Sequence, residues 1–253
     1  MIRVSQLFVY PIKGCAGVPV EMLEVDESGI RHDRRWMLVD ESGQFISQRK
    51  VPRLARFVPS VVDEETGKLE VRWGDSGATL SIESPRSGVA EDFKVWSRLT
   101  AGVEHAEGSG WFSDILGAPV RLMYSPADTP IAFHDAAQVL VVSEASLDEL
   151  NRRLAERIPI SRFRPNIVLS GASAHEEDRW SALESGEVTW LAAERCGRCV
   201  VTTIDQVTGT KTGVEPLKTL ATYRSFENDV CFGMYYSLQK AGSIRVKDVA
   251  VPG

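Results

Sequence analysis

The first third of this 253-residue chain is a succession of short β-rich segments, each ended by glycine, proline or another turn-forming residue. The clearest turn is Glu41-Ser42-Gly43-Gln44, which predicts a hairpin-like reversal followed by a short extended segment at 45–47. Segments this short and this evenly spaced favour a barrel or sandwich over βαβ units. The strands predicted here cover residues 4–10, 18–25, 35–40, 57–62, 69–73 and 78–82.

Two helices are predicted among the strands. The first covers 109–116 and ends at Gly117, ahead of Pro119, which is a normal helix exit. The second begins near Ser146, which has capping-box spacing, with Ser143 as the alternative cap. On this helix Leu147, Leu150 and Leu154 share one face, and the residues predicted to lie outside are Asn151, Arg152 and Arg153. Further strands are predicted at 166–169, 188–192, 200–204 and 243–246, so the predicted fold class is mainly β with a few helices (α+β).

Composition excludes several kinds of partner. The net charge is −6, so bulk attraction to nucleic acid or to an anionic membrane is not expected. No run of about 18 apolar residues is present to span a bilayer, and the N-terminus lacks the apolar core of a signal peptide. Four cysteines in a chain of this length do not make a disulfide framework. These features predict a reduced, cytoplasmic protein.

Cys196 and Cys199 are the residues most indicative of chemistry. They lie three residues apart, beside Arg195 and Arg198 and directly before the strand predicted at 200–204. Nearby positive charge favours the thiolate, which is the form that binds metal or attacks an electrophile. Three interpretations stay open: half of a structural zinc site, a redox pair, or a pair of packed core residues. The two arginines count against the core interpretation, because charged side chains rarely enter a core unpaired.

Basic residues also recur where predicted strands end. Several guanidinium and ammonium groups at strand ends can converge on one anion, since guanidinium holds phosphate through parallel hydrogen bonds. The alternative for each of them alone is a solvated or salt-bridged surface charge. The basic residues in such positions are Lys13, Arg34, Arg35, Arg162, Arg164 and Arg198.

Seven motifs in order along the chain resemble a known family. Residues 10–15 (YPIKGC), 33–36 (DRRW) and 48–54 (QRKVPRL) resemble the N-terminal β-barrel domain that precedes MOSC domains. Residues 143–147, 162–167, 198–205 and 232–236 resemble the MOSC domain itself, and the chain as a whole is similar to the mitochondrial amidoxime-reducing component and its bacterial counterparts. The resemblance implies an N-terminal β-barrel-like domain over residues 1–117 and a MOSC β-barrel domain over 118–253.

The resemblance also implies a molybdenum cofactor (molybdopterin) and the residues that hold it. Cys199, in Arg-Cys-x-x-Thr-Thr, matches the protein ligand to molybdenum, and Cys196 is then a neighbour. Gly14 stands where family members often have serine, so a side-chain contact to the cofactor is missing there. Asp205 is a candidate for proton delivery, against the alternative of a turn or cap residue. The positions matched to cofactor binding are Lys13, Arg34, Arg164, Asn166, Arg198 and Tyr235, with Tyr236 as the alternative to the last.

The activity implied by the resemblance is the two-electron reduction of an N-hydroxylated compound such as an amidoxime. Some bacterial members continue into an iron–sulfur domain. The sequence ends at Gly253, so the expected electron source is a separate protein of the ferredoxin, flavoprotein or cytochrome b5 type. One alternative is a cofactor carrier or sulfur-transfer module, as in cofactor sulfurases, whose MOSC domain is joined to a pyridoxal-phosphate desulfurase. Another is a cofactor-free binding barrel in which the cysteines pack.

Overall fold

A computed structural model describes residues 1–63, 65–85, 88–95, 98–126, 132–135 and 137–253. This part of the chain is mainly β with three α-helices, which confirms the predicted fold class. The helices are α1 (Ala106–Leu116), α2 (Glu144–Arg153) and α3 (Leu217–Ala221). The strands, in chain order, are β1 (Arg3–Val9), β2 (Val18–Val20), β3 (Met22–Asp26), β4 (Gly29–Ile30), β5 (Trp36–Val39), β6 (Phe57–Asp63), β7 (Lys68–Trp73), β8 (Thr79–Ile82), β9 (Glu91–Val95), β10 (Arg98–Glu104), β11 (Arg121–Tyr124), β12 (Val139–Ser143), β13 (Ile167–Ser170), β14 (Ala182–Ser185), β15 (Val188–Gly197), β16 (Ile204–Asp205), β17 (Thr210–Lys211), β18 (Ser225–Phe226), β19 (Asp229–Lys240), β20 (Gly242–Arg245) and β21 (Ala250–Pro252).

The largest sheet joins the two ends of the sequence. Its order is β2-β1-β13-β12-β19-β15-β14-β21, with β18 pairing β19 at the side. Strand β1 runs antiparallel to β13, and Leu7 lies opposite Ile167. A smaller sheet, β20-β3-β4, repeats this arrangement, since it pairs residues 22–30 with 242–245. The first thirty residues therefore complete sheets whose other strands come from the second half of the chain.

Two of the hydrophobic cores lie on either side of the segment that follows β1. The first includes Val4 and Leu7 from β1 together with Val141, Ile167 and Trp190 from the second half. The second is built by β5 to β8, β11 and α1, around Trp36, Phe57 and Phe112. Tyr10 to Cys15 connect the two, because β1 ends in the first core while Ile12 and Cys15 are buried in the second. The segment that carries Lys13 is thereby fixed between the cores.

The strand predicted at 200–204 is wrong. Residues Val200–Thr203 form a 3₁₀ turn, and the strand that contains Cys196 is β15, which precedes the turn and ends at Gly197. Thr202 Oγ1 donates to the carbonyl of Cys199 at 3.0 Å, and Thr203 Oγ1 donates to that of Val200 at 2.8 Å. Threonine hydroxyls that bond three residues back compete with a sheet ladder, so they outweigh the β-propensity of the run.

Other boundaries differ for local reasons. The segment predicted at 18–25 is two strands, because β2 pairs with β1 while β3 pairs with β20 and β4. Residues 45–47 form no strand, and Phe45 makes an isolated bridge with Val39. Helix α1 starts three residues before the prediction, since His105 Nδ1 accepts from the amide of Gly108 at 3.0 Å and caps it.

The alternative cap of α2 is the one observed. Ser143 Oγ accepts from the amide of Ser146 at 3.1 Å, and the helix begins at Glu144. Asn151, predicted to lie outside, is buried, because its side chain exchanges hydrogen bonds with the backbone of Ile158.

Candidate functional site

A cleft of about 210 Å³ is lined by residues from both the N-terminal and the C-terminal parts of the chain. Its wall is formed by residues 13–49 on one side and by residues 135–235 on the other. Among its lining residues six are basic and one, Asp135, is acidic, although the whole chain carries a net charge of −6. The basic residues are Lys13, Arg34, Arg49, Arg162, Arg164 and Arg198. Five of the six basic residues selected from the sequence therefore converge here, whereas Arg35 is not among the lining residues and Arg49 is added.

Cys199 presents its thiol to this cleft. It is the N-cap residue of the 3₁₀ turn, has an extended backbone (φ −116°, ψ 179°), and is half-buried. Arg49 Nε donates to Cys199 Sγ at 3.4 Å. The guanidinium that contacts this sulfur therefore comes from the N-terminal part of the chain, 150 residues away, and is not that of neighbouring Arg198.

Cys196 occupies a different environment. It is 1% exposed, it packs with Phe163 and Phe232, and burial raises the pKa of its thiol. Cys196 therefore stays protonated near neutral pH. Both cysteines border the cleft, but Cys199 is the more exposed of the two, so it is the sulfur that a ligand reaches more readily.

Arg34 is held by a buried carboxylate. Asp33 is fully buried; it accepts from the amide of Tyr10 at 2.7 Å, lies 3.0 Å from His134 Nε2, and forms an ion pair with Arg34. Burial acts to raise the pKa of Asp33, but Arg34, His134 and the Tyr10 amide outweigh it and lower the pKa to about 2. Asp33 is consequently a fixed negative charge that orients Arg34.

Tyr10 contacts two guanidinium groups of the cleft. The Cζ atom of Arg34 lies 4.7 Å from the centroid of its ring, and that of Arg164 lies 4.4 Å from it. The phenol donates to the carbonyl of Pro165 at 3.0 Å, and burial raises its pKa to about 12. Arg164 also donates to the carbonyl of Cys15 at 2.6 Å. Cation–π contact and these hydrogen bonds hold both arginines at a set spacing.

Lys13 and Arg198 reach the cleft with their own supports. Lys13 Nζ donates to the carbonyl of Phe133 at 2.8 Å and to Asp135 Oδ1 at 2.5 Å, and burial lowers its pKa. Arg198 donates to the carbonyl of Phe232 at 2.7 and 2.8 Å and to that of Phe163 at 3.0 Å. These acceptors are carbonyl oxygens without formal charge, so they do not neutralise the positive charge of Arg198 beside the cleft.

Asn166 and Tyr235 differ in their placement. Asn166 is buried behind the lining: its Oδ1 accepts from Arg34 and from the amide of Leu140, both at 3.3 Å, and its amide group donates to the carbonyl of Phe8. It therefore contacts Arg34 rather than the open space. Tyr235 lines the cleft, and burial raises the pKa of its phenol, so the group is protonated near neutral pH. Tyr236, the alternative, is buried in the first core.

Asp205 lies outside the lining residues of the cleft. Its Oδ1 accepts from the amides of Val207 and Thr208 at 3.0 and 2.8 Å, and its Oδ2 lies 3.4 Å from Arg162. The two amide bonds are those of a turn residue, which is the alternative to a role in proton delivery.

Four residues of the site were not selected from the sequence as site residues. Arg49 and Gln48 lie in the 48–54 motif, but nothing local indicates that this segment faces Cys199. The Gln48 side chain donates to the carbonyl of Gly14 at 2.7 Å and exchanges hydrogen bonds with the Gln206 side chain, which joins the two walls. Tyr10 contacts Arg34 and Arg164, which are distant from it in sequence, and Asp33 pairs with Arg34 of its own motif. In the sequence, only the motifs that contain Tyr10 and Asp33 point to them.

The donor set fits a pterin phosphate bearing molybdenum. A soft thiol at the mouth of a cationic cleft suits molybdenum, and the basic groups suit a phosphate dianion. Arg162 Nε is buried and has no hydrogen-bond partner in the protein, so it is a donor that a bound group can satisfy. No group of three or more His, Cys, Asp or Glu side chains in the described ranges is arranged to hold a metal ion. Within the same ranges no helix is both long and apolar enough to cross a membrane.

Comparison with known families and proteins agrees with the geometry. The model of the MOSC N-terminal beta barrel domain matches residues 1–119, and that of the MOSC domain matches residues 128–251. The chain therefore belongs to the MOSC family, with an N-terminal MOSC β-barrel domain, as the motifs predicted. The boundary after residue 117 stays a prediction.

Curated relatives match along nearly the whole chain. The human mitochondrial amidoxime-reducing component 1 is 32% identical over 97% of this chain and 81% of its own length. The mitochondrial amidoxime reducing component 2 of Rattus norvegicus is 34% identical with the same coverage. Among solved structures, the YUAD protein from Bacillus subtilis covers 99% of this chain and 94% of its own at 10% identity and a TM-score of 0.47, a likeness too weak to add to the family assignment.

Proposed function

We propose that this protein is a molybdenum-cofactor-dependent reductase of N-hydroxylated compounds that receives its electrons from a separate protein. The observation that carries the proposal is the half-buried thiol of Cys199 opening into a cleft lined by six basic side chains. The names of the curated relatives, amidoxime-reducing components, support the choice of substrate class.

The residues of the cleft have distinct parts in this proposal. Cys199 supplies the sulfur ligand, and Arg49 donates a hydrogen bond to that sulfur. Arg34 and Arg164, spaced by Tyr10, bind the phosphate of the pterin together with Lys13. When bound, the cofactor supplies the two-electron redox chemistry, and the protein binds and orients it.

The overall reaction consumes two electrons and two protons and converts an N–OH group into N–H and water. The phenol of Tyr235 stays protonated near neutral pH because it is largely buried, so its Oη can donate a hydrogen bond to a substrate oxygen. Asp205 lies outside the cleft lining, with Oδ1 bonded to its own turn and Oδ2 3.4 Å from Arg162, so we assign it the positioning of Arg162 rather than proton delivery.

The test is molybdenum analysis combined with turnover. Protein purified from a host that makes the cofactor should contain stoichiometric molybdenum and should convert benzamidoxime to benzamidine with dithionite-reduced methyl viologen. Molybdenum without turnover, together with activation of a cofactor-free molybdoenzyme, would replace the proposal by the carrier function. Protein that takes up no molybdenum in that host would indicate a cofactor-free barrel.

A further inference from the structure

A second depression lies on the far side of the turn that carries Cys199. It is open, has a volume of about 530 Å³, and is lined mainly by apolar side chains. Its apolar surface is formed by Val200, Val214, Leu217 and Val230, and two lysines, Lys211 and Lys218, also line it. We call the depression lined by these six residues together with Thr203, Gly213 and Ala221 the outer groove.

The 3₁₀ turn Val200–Thr203 is the wall between the outer groove and the cationic cleft. Val201 and Thr202 line the cleft, whereas Val200 and Thr203 line the groove. Cys199 is the N-cap residue of this same turn. A molecule seated in the outer groove is consequently one backbone turn away from the sulfur ligand of the proposed cofactor.

The chemistry of the outer groove is that of a transient protein interface. Val214 is 62% exposed, and both lysines are exposed. None of the described residues that line the groove is Asp or Glu, on a chain whose net charge is −6. A small apolar centre with charge of one sign at its edge is typical of weak electron-transfer encounters, in which charge steers the partner and a small area lets it leave.

We infer that the outer groove is the docking surface of the electron donor, and that this donor is a small acidic one-electron carrier protein. The inference rests on the proposed function, because it assigns a partner to the same site. Two reduced carriers dock in succession for each substrate. Each is oxidised by one electron, and together with two protons from solvent they account for cleavage of one N–O bond and release of one water.

The experiment separates docking from chemistry by comparing two electron sources. The groove variant is Lys211→Glu combined with Lys218→Glu. The matched control is Lys240→Glu combined with Arg245→Glu, which makes the same change in net charge on exposed residues. Lys240 ends β19, ten residues beyond Val230 of the groove, or about 30 Å along an extended strand. Each protein is assayed on benzamidoxime with methyl viologen and with a plant-type ferredoxin kept reduced by its NADPH-dependent reductase, and ferredoxin binding is measured separately by biolayer interferometry.

The inference predicts a selective loss in the groove variant. Its kcat/KM for ferredoxin should fall about tenfold and its ferredoxin affinity should fall with it, because repulsion replaces attraction at the contact. Its rate with methyl viologen and both rates of the control should match those of the unmodified protein. Raising the salt concentration should reduce the difference.

The inference would be overturned if the groove variant and the unmodified protein bound ferredoxin equally well. It would also be overturned if the unmodified protein neither bound ferredoxin nor accepted electrons from it. Failure of the proposed function has another signature: no turnover by the unmodified protein with methyl viologen. Binding by the two variants still decides the docking surface in that case.

Discussion

Arg34 and Arg164 both hold a left-handed backbone conformation, with φ of 51° and 55°. Such a conformation in a residue other than glycine costs of order 1 kcal/mol and persists where the surroundings determine it. Here the amide of Arg34 donates to the carbonyl of Tyr10 at 2.8 Å and that of Arg164 to the carbonyl of Ser161 at 3.2 Å. The strain is therefore located at two groups that the proposed function uses to bind an anion.

Asp33 makes this arrangement sensitive to acid. A carboxyl whose pKa is lower in the folded state stabilises the protein above its unfolded pKa of about 3.9, and the stabilisation is lost as the pH falls through the folded value. For Asp33 the folded pKa is about 2. We expect the difference in free energy of unfolding between the unmodified protein and Asp33→Asn to shrink by about 2 kcal/mol between about pH 5 and pH 2.

Urea unfolding at several pH values measures this difference. Asp92→Asn, which alters an exposed carboxylate, is the control and should show little change with pH. A difference between the unmodified protein and Asp33→Asn that stays constant over the range would show that Asp33 has no such shift.

The two cysteines of the 196–199 motif should respond differently to the same substitution. Cys199→Ser should abolish turnover and lower the molybdenum content, because the half-buried thiol is the proposed ligand. Cys196→Ser should retain most of both, since Cys196 is a buried neutral thiol. Elemental analysis and the benzamidoxime assay check both variants. Equal losses would favour a mechanism that uses both thiols.

Among the secondary-structure elements, the 3₁₀ turn Val200–Thr203 matters most for the site. It separates the cationic cleft from the outer groove, and its N-cap residue is Cys199. Its sequence, Val-Val-Thr-Thr, has strong β-propensity, so the turn depends on the two threonine hydroxyls that bond back to the carbonyls of Cys199 and Val200.

Thr202→Val and Thr203→Val should each lower the free energy of unfolding by about 1 kcal/mol, because a buried hydrogen bond is lost at nearly constant volume. The molybdenum content should fall as well, since Cys199 loses its fixed position. Urea unfolding and elemental analysis measure the two effects. Thr189→Val in strand β15 is the matched control, where valine is favoured, and it should leave both quantities unchanged. An unaffected molybdenum content in both turn variants would show that the hydroxyls do not position Cys199.

In the molecule as a whole, segments that are distant in sequence pack together. Strands β1, β3 and β4 belong to the first thirty residues, yet they pack in one core with β12, β13, β15 and β19. The cleft is likewise lined by residues from both parts of the chain, so it depends on their packing together.

Residues 118–253 expressed alone should therefore fail to fold. Without β1, the edge of β13 has no antiparallel partner and the apolar side chains of Ile167 and Leu169 lose Val4 and Leu7. Circular dichroism during heating should show no cooperative transition. Residues 1–31 joined to 118–253 through a long Gly/Ser linker should restore one. A cooperative transition in residues 118–253 alone would show that the β1 contacts are dispensable.

Much of the fold could be predicted from local pattern, because strands and helix ends are specified by neighbouring residues. The strands at β1, β5, β6, β7 and β8, and the exit of α1 at Gly117, follow from alternation and turn signals. The failures occurred where partners are distant or where side chains bond to the backbone, as at 18–25 and at Val200–Thr203.

Motif order and residue type were enough to predict the family, most of the basic residues of the cleft and the two candidate sulfur atoms. Only the folded structure shows which of the two sulfur atoms is the more accessible from the cleft and which arginine contacts it. Arg49 and Cys199 are 150 residues apart, and Arg34 and Arg164 meet on Tyr10. The physical reason is that burial and charge proximity depend on distances through space, which are set only when the first thirty residues pair with strands from the far end of the chain.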